Sequence, residues 1–173
     1  MKKNLITGLV LGAFALICAF LLSLVNGLTE KVIAQRTEER IKESIAYVCP
    51  EYASRKDELV LESINPSEEE PAVKSCYLIK ENDNALYVIY VVDAQGYAST
   101  IEMMIAVNSS HLIEGYTVIS SAETKGDITT HDFNMDHASN LDGFEKLAGS
   151  SMSSKAVRKC FNIALYLSYF DIK

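Results

Sequence analysis

Apolar and polar positions fall into a few distinct patterns along the chain. From Leu5 to Val25 the sequence LITGLVLGAFALICAFLLSLV contains no charged residue. As a helix it is roughly 30 Å long, enough for one bilayer crossing, and Gly8 and Gly12 are acceptable in lipid. Leu28, Val32, Ile41, Ile45 and Val48 then recur at three- to four-residue multiples with Glu, Lys and Arg between them. This predicts an amphipathic helix over 28–48 that leaves the membrane and docks one face, with Pro50 ending it. Residues 49–74 read as an acidic irregular loop that includes Ser67-Glu68-Glu69-Glu70-Pro71.

From Ser75 the period changes to two. Ser75–Lys80, Ala85–Val92, Ala98–Val107 and His111–Ser120 predict strands, with Asn82-Asp83-Asn84 and Asn108-Ser109-Ser110 as turns. Short connections between consecutive strands imply an antiparallel meander. Residues 121–150 lack a strong period. Ser153 to Phe170 predicts a helix with Ala156, Cys160, Ile163, Leu167 and Phe170 in one stripe. The expected fold class is α+β, a mainly antiparallel sheet with packed helices, preceded by one N-terminal transmembrane helix. The expected plan is an anchor over 1–27, the post-membrane helix over 28–48, the acidic loop over 49–74 and a folded domain over 75–173.

Charge sharpens this plan. The chain has 173 residues, a formal charge of −7 and 23 acidic residues, all of them beyond residue 27. That balance argues against a nucleic-acid partner. Lys2 and Lys3 before the span predict a cytoplasmic N-terminus and an extracytoplasmic C-terminal domain at the cell membrane. Ser23-Leu24-Val25-Asn26-Gly27 is a poor cleavage site for a signal peptide. Ile17 before Cys18 is too bulky for a lipidation signal. A retained anchor fits the length and flanks best.

Candidate chemistry is sparse. Cys49, Cys76 and Cys160 follow no metal spacing. Cys49 and Cys76 form a disulfide, or all of these cysteines are reduced packing residues; both readings stand. His131-Asp-Phe-Asn-Met-Asp-His137 fits neither a calcium loop nor a zinc helix motif, so no metal site is expected. No Ser/His/Asp or Cys/His set supports hydrolase chemistry. The informative stretch is Ala148-Gly149-Ser150-Ser151-Met152-Ser153-Ser154-Lys155-Ala156-Val157. Glycine and hydroxyl residues directly precede an amphipathic helix, which suits a phosphate at the positive end of the helix dipole. Plain N-capping by Ser153 or Ser154 is the alternative.

This stretch resembles the signature Asp-Ala-x-Ser-Gly-Ala-Thr-x-Ser-Ser-x-Ala-Val of the FMN-binding subunit family. That family includes the RnfG component of the Rnf electron-transport complex and the NqrC component of the sodium-translocating NADH:quinone reductase. The Thr falls on Ser151, its preceding Gly on Gly149, and the following residues on Ser153, Ser154, Ala156 and Val157. Upstream, Leu24-Val25-Asn26-Gly27-Leu28-Thr29 resembles the family's post-span segment, Gly96-Tyr97 its Gly-Tyr-Gly-Gly stretch, and Glu123-Thr124-Lys125-Gly126 its Glu-Thr-Pro-Gly loop. Ser replaces Thr at position 151, Ala148 and Ser150 replace Ser and Ala, Glu145 replaces Asp, and Lys125 replaces Pro.

The resemblance implies FMN esterified through its phosphate to Ser151, delivered by a separate flavin transferase. Gly149, Ser150, Ser153 and Ser154 would surround the phosphate, and Glu123 and Thr124 would border the flavin ring. Glu123 also reads as a surface carboxylate, and Tyr97 as a sheet-packing residue. The implied function is a membrane-anchored electron carrier among the other membrane subunits of an Rnf-like ion-translocating complex, rather than a stand-alone enzyme. The alternatives are a flavin-free structural or assembly component, and a free-standing anchored flavoprotein for extracellular electron transfer.

Overall fold

The computed structural model describes residues 8, 11–23, 40–55, 58–66, 70–123 and 127–172. The chain divides into two compact units, Met1–Ile41 and Lys42–Lys173. In the first unit residues 11–23 are helical, and apolar side chains such as Leu11, Phe14, Ile17 and Leu21 are exposed. Among the described residues no helix is long and apolar enough to cross a membrane. Both ends of the span expected at 5–25 lie outside the described residues, as does most of the helix expected at 28–48.

In the second unit, helical residues 42–48 break at Cys49 and lead into α1 (Pro50–Ser54). The helical run ends at Val48, the expected end, and Pro50 opens a new helix. Proline takes the first position of a new helix, where its missing N–H costs nothing. A five-stranded sheet follows in the order β1-β2-β3-β4-β5, with β1 (Val60–Ile64), β2 (Val73–Glu81), β3 (Asn84–Gln95), β4 (Thr100–Asn108) and β5 (Ile113–Ser120). Every pairing is antiparallel, as the meander expectation requires. The last element is α2 (Ser151–Asp171).

The acidic loop expected over 49–74 is corrected in part, because it holds α1 and the edge strand β1. Val60-Leu61-Glu62-Ser63-Ile64 is largely exposed. Its strand conformation comes from pairing with Lys80–Cys76 of β2, which no local pattern encodes. The β2–β3 turn matches its chemistry. Asn82 and Asp83 have φ of 49° and 67°, the positive pair required by a tight type I′ hairpin.

Burial departs from simple alternation in the middle of the sheet. Val88 to Val92 in β3 and Met103 to Val107 in β4 are all buried, so both sheet faces are covered. Cys76, Leu78, Val88, Tyr90, Val92, Met103, Ile105 and Val107 share one core with Ala156, Val157, Cys160, Phe161 and Ala164 of α2. Ile79, Ile89, Val91, Met104 and Ala106 are also buried and point to the opposite face by the strand period. Helical residues 42–48 reach the sheet at Gly115, where an added Cβ would lie 2.5 Å from the Val48 carbonyl oxygen.

Residues 127–150 contain no helix or strand, yet they are pinned to the core. Phe133 and Met135 are fully buried. Phe133 stacks on Phe144 at 5.6 Å, and Tyr116 meets Phe161 edge-on at 4.9 Å, geometries that aromatic pairs favour. All four cysteines are free, with Cys49, Cys76 and Cys160 buried. Of the two readings of the cysteines, the packing role holds. Burial pushes the Cys49 thiol up to about 11 and that of Cys160 to about 12, so neither is a ready nucleophile.

Gly115→Ala should lower unfolding stability by about 1–3 kcal/mol, because the new methyl group meets backbone that no rotamer change can move. Urea denaturation of the full chain checks this.

Candidate functional site

Three separate segments meet beside the N-terminus of α2. Gly96-Tyr97-Ala98-Ser99 turns the chain between β3 and β4. Ser121–Glu123 leaves β5, and Gly149–Ser153 enters the helix. Their junction is a single carboxylate. Glu123 accepts N–H bonds from Tyr97 (3.2 Å), Ala98 (3.0 Å) and Ser99 (3.0 Å), and the hydroxyl of Ser153 also donates to it. Ser99 supports the arrangement, since its hydroxyl oxygen accepts the Ala122 N–H at 2.9 Å.

Glycine at position 96 is a condition of this clamp. An added Cβ there would lie 2.5 Å from Glu123 Oε1 and 2.9 Å from the Ser99 carbonyl oxygen. Burial opposes the ionisation of Glu123. The bonds from Ser153, Ser99, Ala98 and Tyr97 outweigh it and hold the carboxyl below the usual glutamate value of 4.5. The carboxylate is thus a structural anion whose charge is spent on donors of this chain.

The helix start is the second half of the site. Gly149 has φ of +78°, a left-handed turn that suits glycine, and open space lies where a Cβ would stand. Ser150 is the N-cap residue but makes no side-chain cap hydrogen bond. The first intrahelical bond runs from Ser154 N–H to the Ser150 carbonyl at 2.9 Å. The amides of Ser151, Met152 and Ser153 consequently face the helix end, where the dipole is positive. No acidic residue occupies the first turn. The helix begins two residues before the expected Ser153, and the cap position falls on Ser150 rather than on Ser153 or Ser154.

Tyr97, Gly149, Ser150, Ser151, Met152 and Ser153 line a cavity of about 230 Å³. Four of the expected residues, Gly149, Ser150, Ser151 and Ser153, therefore come together. Ser151 is exposed at the first helical position. Ser154 does not line the cavity. It is buried, and its hydroxyl oxygen accepts the Leu147 N–H at 3.1 Å, which holds the loop entering the helix. Glu123 stands behind the cavity through Ser153, and Thr124 lies outside the described residues.

Tyr97 and Met152 are lining residues that sequence reasoning does not assign to the site. Tyr97 is 66% exposed and is not a sheet-packing residue. The Gly96-Tyr97 pair ahead of a strand is the available signal, since glycine at a turn often marks a close backbone approach. Met152 carries no such signal.

These groups fit the phosphate end of a phosphorylated ligand: helix-start amides, a glycine turn with open space, hydroxyl donors and no competing acid in the first turn. The cavity is smaller than the roughly 300–1,000 Å³ usual for whole small molecules. A nucleotide-sized ligand held here would keep part of itself at the surface, beside the aromatic face of Tyr97.

Glu123→Gln should lower stability at pH 7 by about 1.5–3 kcal/mol, the range for hydrogen bonds to a charged group. Because the folded carboxyl titrates below 4.5, its contribution is present above that value and is lost as pH falls through the folded pKa. The difference between wild type and variant should therefore close on acidification below pH 4.5, as followed by urea denaturation across pH.

Comparison with known proteins agrees with this geometry. Residues 96–166 match the family model of the FMN-binding domain, and residues 1–47 match that of the RnfG N-terminal region. The first of these begins at the Gly96 turn and includes the helix start. A protein from Cereibacter sphaeroides, named as the G subunit of an ion-translocating oxidoreductase complex, is 30% identical over 125 residues, covering 72% of this chain and 57% of that protein. A protein of the same name from Shewanella piezotolerans is 26% identical over 132 residues, covering 73% of this chain and 62% of that protein. The chain thus spans about three-fifths of the length of these curated relatives. With an RnfG N-terminal region followed by an FMN-binding domain in the same order, the chain belongs to the RnfG-type family of FMN-binding subunits.

Proposed function

We propose that this chain is a membrane-anchored electron-carrier subunit of an ion-translocating oxidoreductase complex, with FMN joined to Ser151 through a phosphoester bond. The observation that carries this reading is the exposed Ser151 hydroxyl at the first position of α2, in a cavity shared with the left-handed Gly149 turn. The FMN-binding domain match over 96–166 and the names of the relatives support it.

Attachment needs a separate flavin transferase using FAD. The Ser151 oxygen forms a bond to the flavin-side phosphorus as the phosphoanhydride bond breaks. AMP leaves, and the hydroxyl proton passes to solvent. A serine hydroxyl has the same nucleophilic chemistry as the threonine of the family signature, with one methyl group less. Gly149 admits the phosphate close to the backbone, and the amides of Ser151, Met152 and Ser153 with Ser150 hold its charge, while the Ser153 hydroxyl donates to Glu123. Ser154 acts one step back, through Leu147, and Glu123 fixes Tyr97 and Ser153 relative to one another. Thr124 borders the ring on family likeness alone. FMN supplies one- and two-electron redox chemistry when bound, while the protein sets its position and access to solvent.

The apolar run from Leu5 to Val25 is the proposed anchor, with the N-terminus in the cytoplasm and the domain outside it. The run has no charged residue for an ion path. Ion movement therefore belongs to other membrane subunits of the complex.

Co-expression with the flavin transferase of the same cell should yield a band fluorescent on a denaturing gel. The intact mass should rise by one FMN less water. Ser151→Ala should abolish both signals and Ser151→Thr should keep them. Retention in Ser151→Ala would move the linkage to another hydroxyl. Absence of an adduct in the wild type would leave non-covalent FMN or the flavin-free structural role as the reading.

A further inference from the structure

A second, larger cavity at the outer edge of β5 is not used by the flavin reading. β5 is the last strand of the sheet, and its outer edge is only partly occupied. At its start, Ile113 N–H donates to the Ala138 carbonyl at 3.0 Å and the Ile113 carbonyl accepts from His137 N–H at 2.8 Å. Among the described residues this outer pairing ends at Ile113. Glu114 to Val118 instead line a cavity of about 480 Å³, with Tyr47, Val48 and Pro50 on one flank and residues 128–133 and Asp136 on the other. The strand edge is the floor of a groove between two covered flanks.

An unpaired edge is a template for another strand, and proteins usually blunt it with lysine, proline, a bulge or shortness. The far edge, β1, is only 5 residues long. β5 has 8 residues, and its groove-lining run Glu114-Gly115-Tyr116-Thr117-Val118 contains neither lysine nor proline. Its two register shifts, between Ala106 and Val107 and between Glu102 and Met103 of the partner strand, lie at the two ends of that run, so Gly115 to Val118 are regular strand.

The groove is also predominantly acidic, with His131 as its one basic lining side chain. Glu114, Asp132 and Asp136 line it, and no lysine or arginine does. Asp132 is kept ionised by the Asn134 N–H and the Tyr116 hydroxyl, which hold its carboxyl below the usual range. We infer that this groove receives an extended, lysine- or arginine-bearing segment of a partner protein as a sixth strand along β5. Main-chain hydrogen bonds to the strand edge supply the pairing, and the three carboxylates select basic side chains and exclude acidic ones.

The test uses the full-length chain in a mild nonionic detergent and nine-residue peptides of alternating lysine and valine. Hydrogen exchange should show protection of backbone amides within residues 114–118 when the peptide is added. Methylating alternate peptide nitrogens, or replacing lysine by glutamate, should each weaken binding at least about tenfold. So should the combined Glu114→Gln, Asp132→Asn and Asp136→Asn variant. Asp136→Asn alone, at an exposed position, should weaken binding severalfold and serves as the control if the triple variant unfolds. The inference is overturned if no protection appears up to millimolar peptide. Equal binding of the methylated or glutamate peptides would also overturn it. So would protection of 114–118 that rises with protein concentration alone, which would make a second copy of the chain the occupant. None of these readouts depends on flavin attachment.

Discussion

Burial of β3 and β4 on both faces is the constraint around which the folded unit is organised. Val88–Val92 and Met103–Val107 are closed to solvent, so each sheet face needs a cover. α2 supplies one with Ala156, Val157, Cys160, Phe161 and Ala164. On the other face, Val48 approaches β5 so closely that position 115 has room only for glycine. Once α2 is seated on β3 and β4, the location of its N-terminus follows. It emerges near the β3–β4 turn, which is why a helix start and the Gly96–Ser99 segment share a cavity.

The electrostatics of that cavity depend on keeping two negative charges apart in role. A carboxylate near a helix N-terminus competes with an incoming phosphate for the same donors. Here Glu123 draws its donors from the Tyr97–Ser99 backbone and from the Ser153 hydroxyl, and leaves the first-turn amides of α2 uncommitted to it. The same four bonds fasten the 97–99 backbone to Ser153 of α2.

The β5 edge follows a different physical logic. The edge-on contacts of Phe133 and Phe144 with Phe161, at 6.3 and 6.2 Å, tie the irregular 127–150 segment to α2. Among the described residues, backbone-to-backbone bonds join that segment to β5 at Ile113 alone, and Glu114 to Val118 face a groove. A segment without secondary structure thus shapes both cavities, ending at the Gly149 turn of one and flanking the acidic groove of the other.

Local chemistry made much of this legible in the chain itself. Period-two stretches placed β2 to β5, the Asn82-Asp83 pair set a hairpin through its tolerance of positive φ, and the Gly149–Ser154 run marked a helix start suited to an anion. These signals depend on side-chain period and backbone preference, which neighbouring residues impose on one another. β1 was not legible, since Val60–Ile64 becomes a strand only by pairing with β2. The fate of each serine was equally hidden. Ser151 faces the cavity, Ser153 turns to Glu123 and Ser154 turns inward to Leu147, and only helix phase against the packed core separates three residues of one type. Glu123 shows the same limit most plainly. The sequence determined that a carboxylate follows β5, while long-range packing decided that residues 97–99 and 153 would converge on it, because those contacts form only after α2 closes over the sheet.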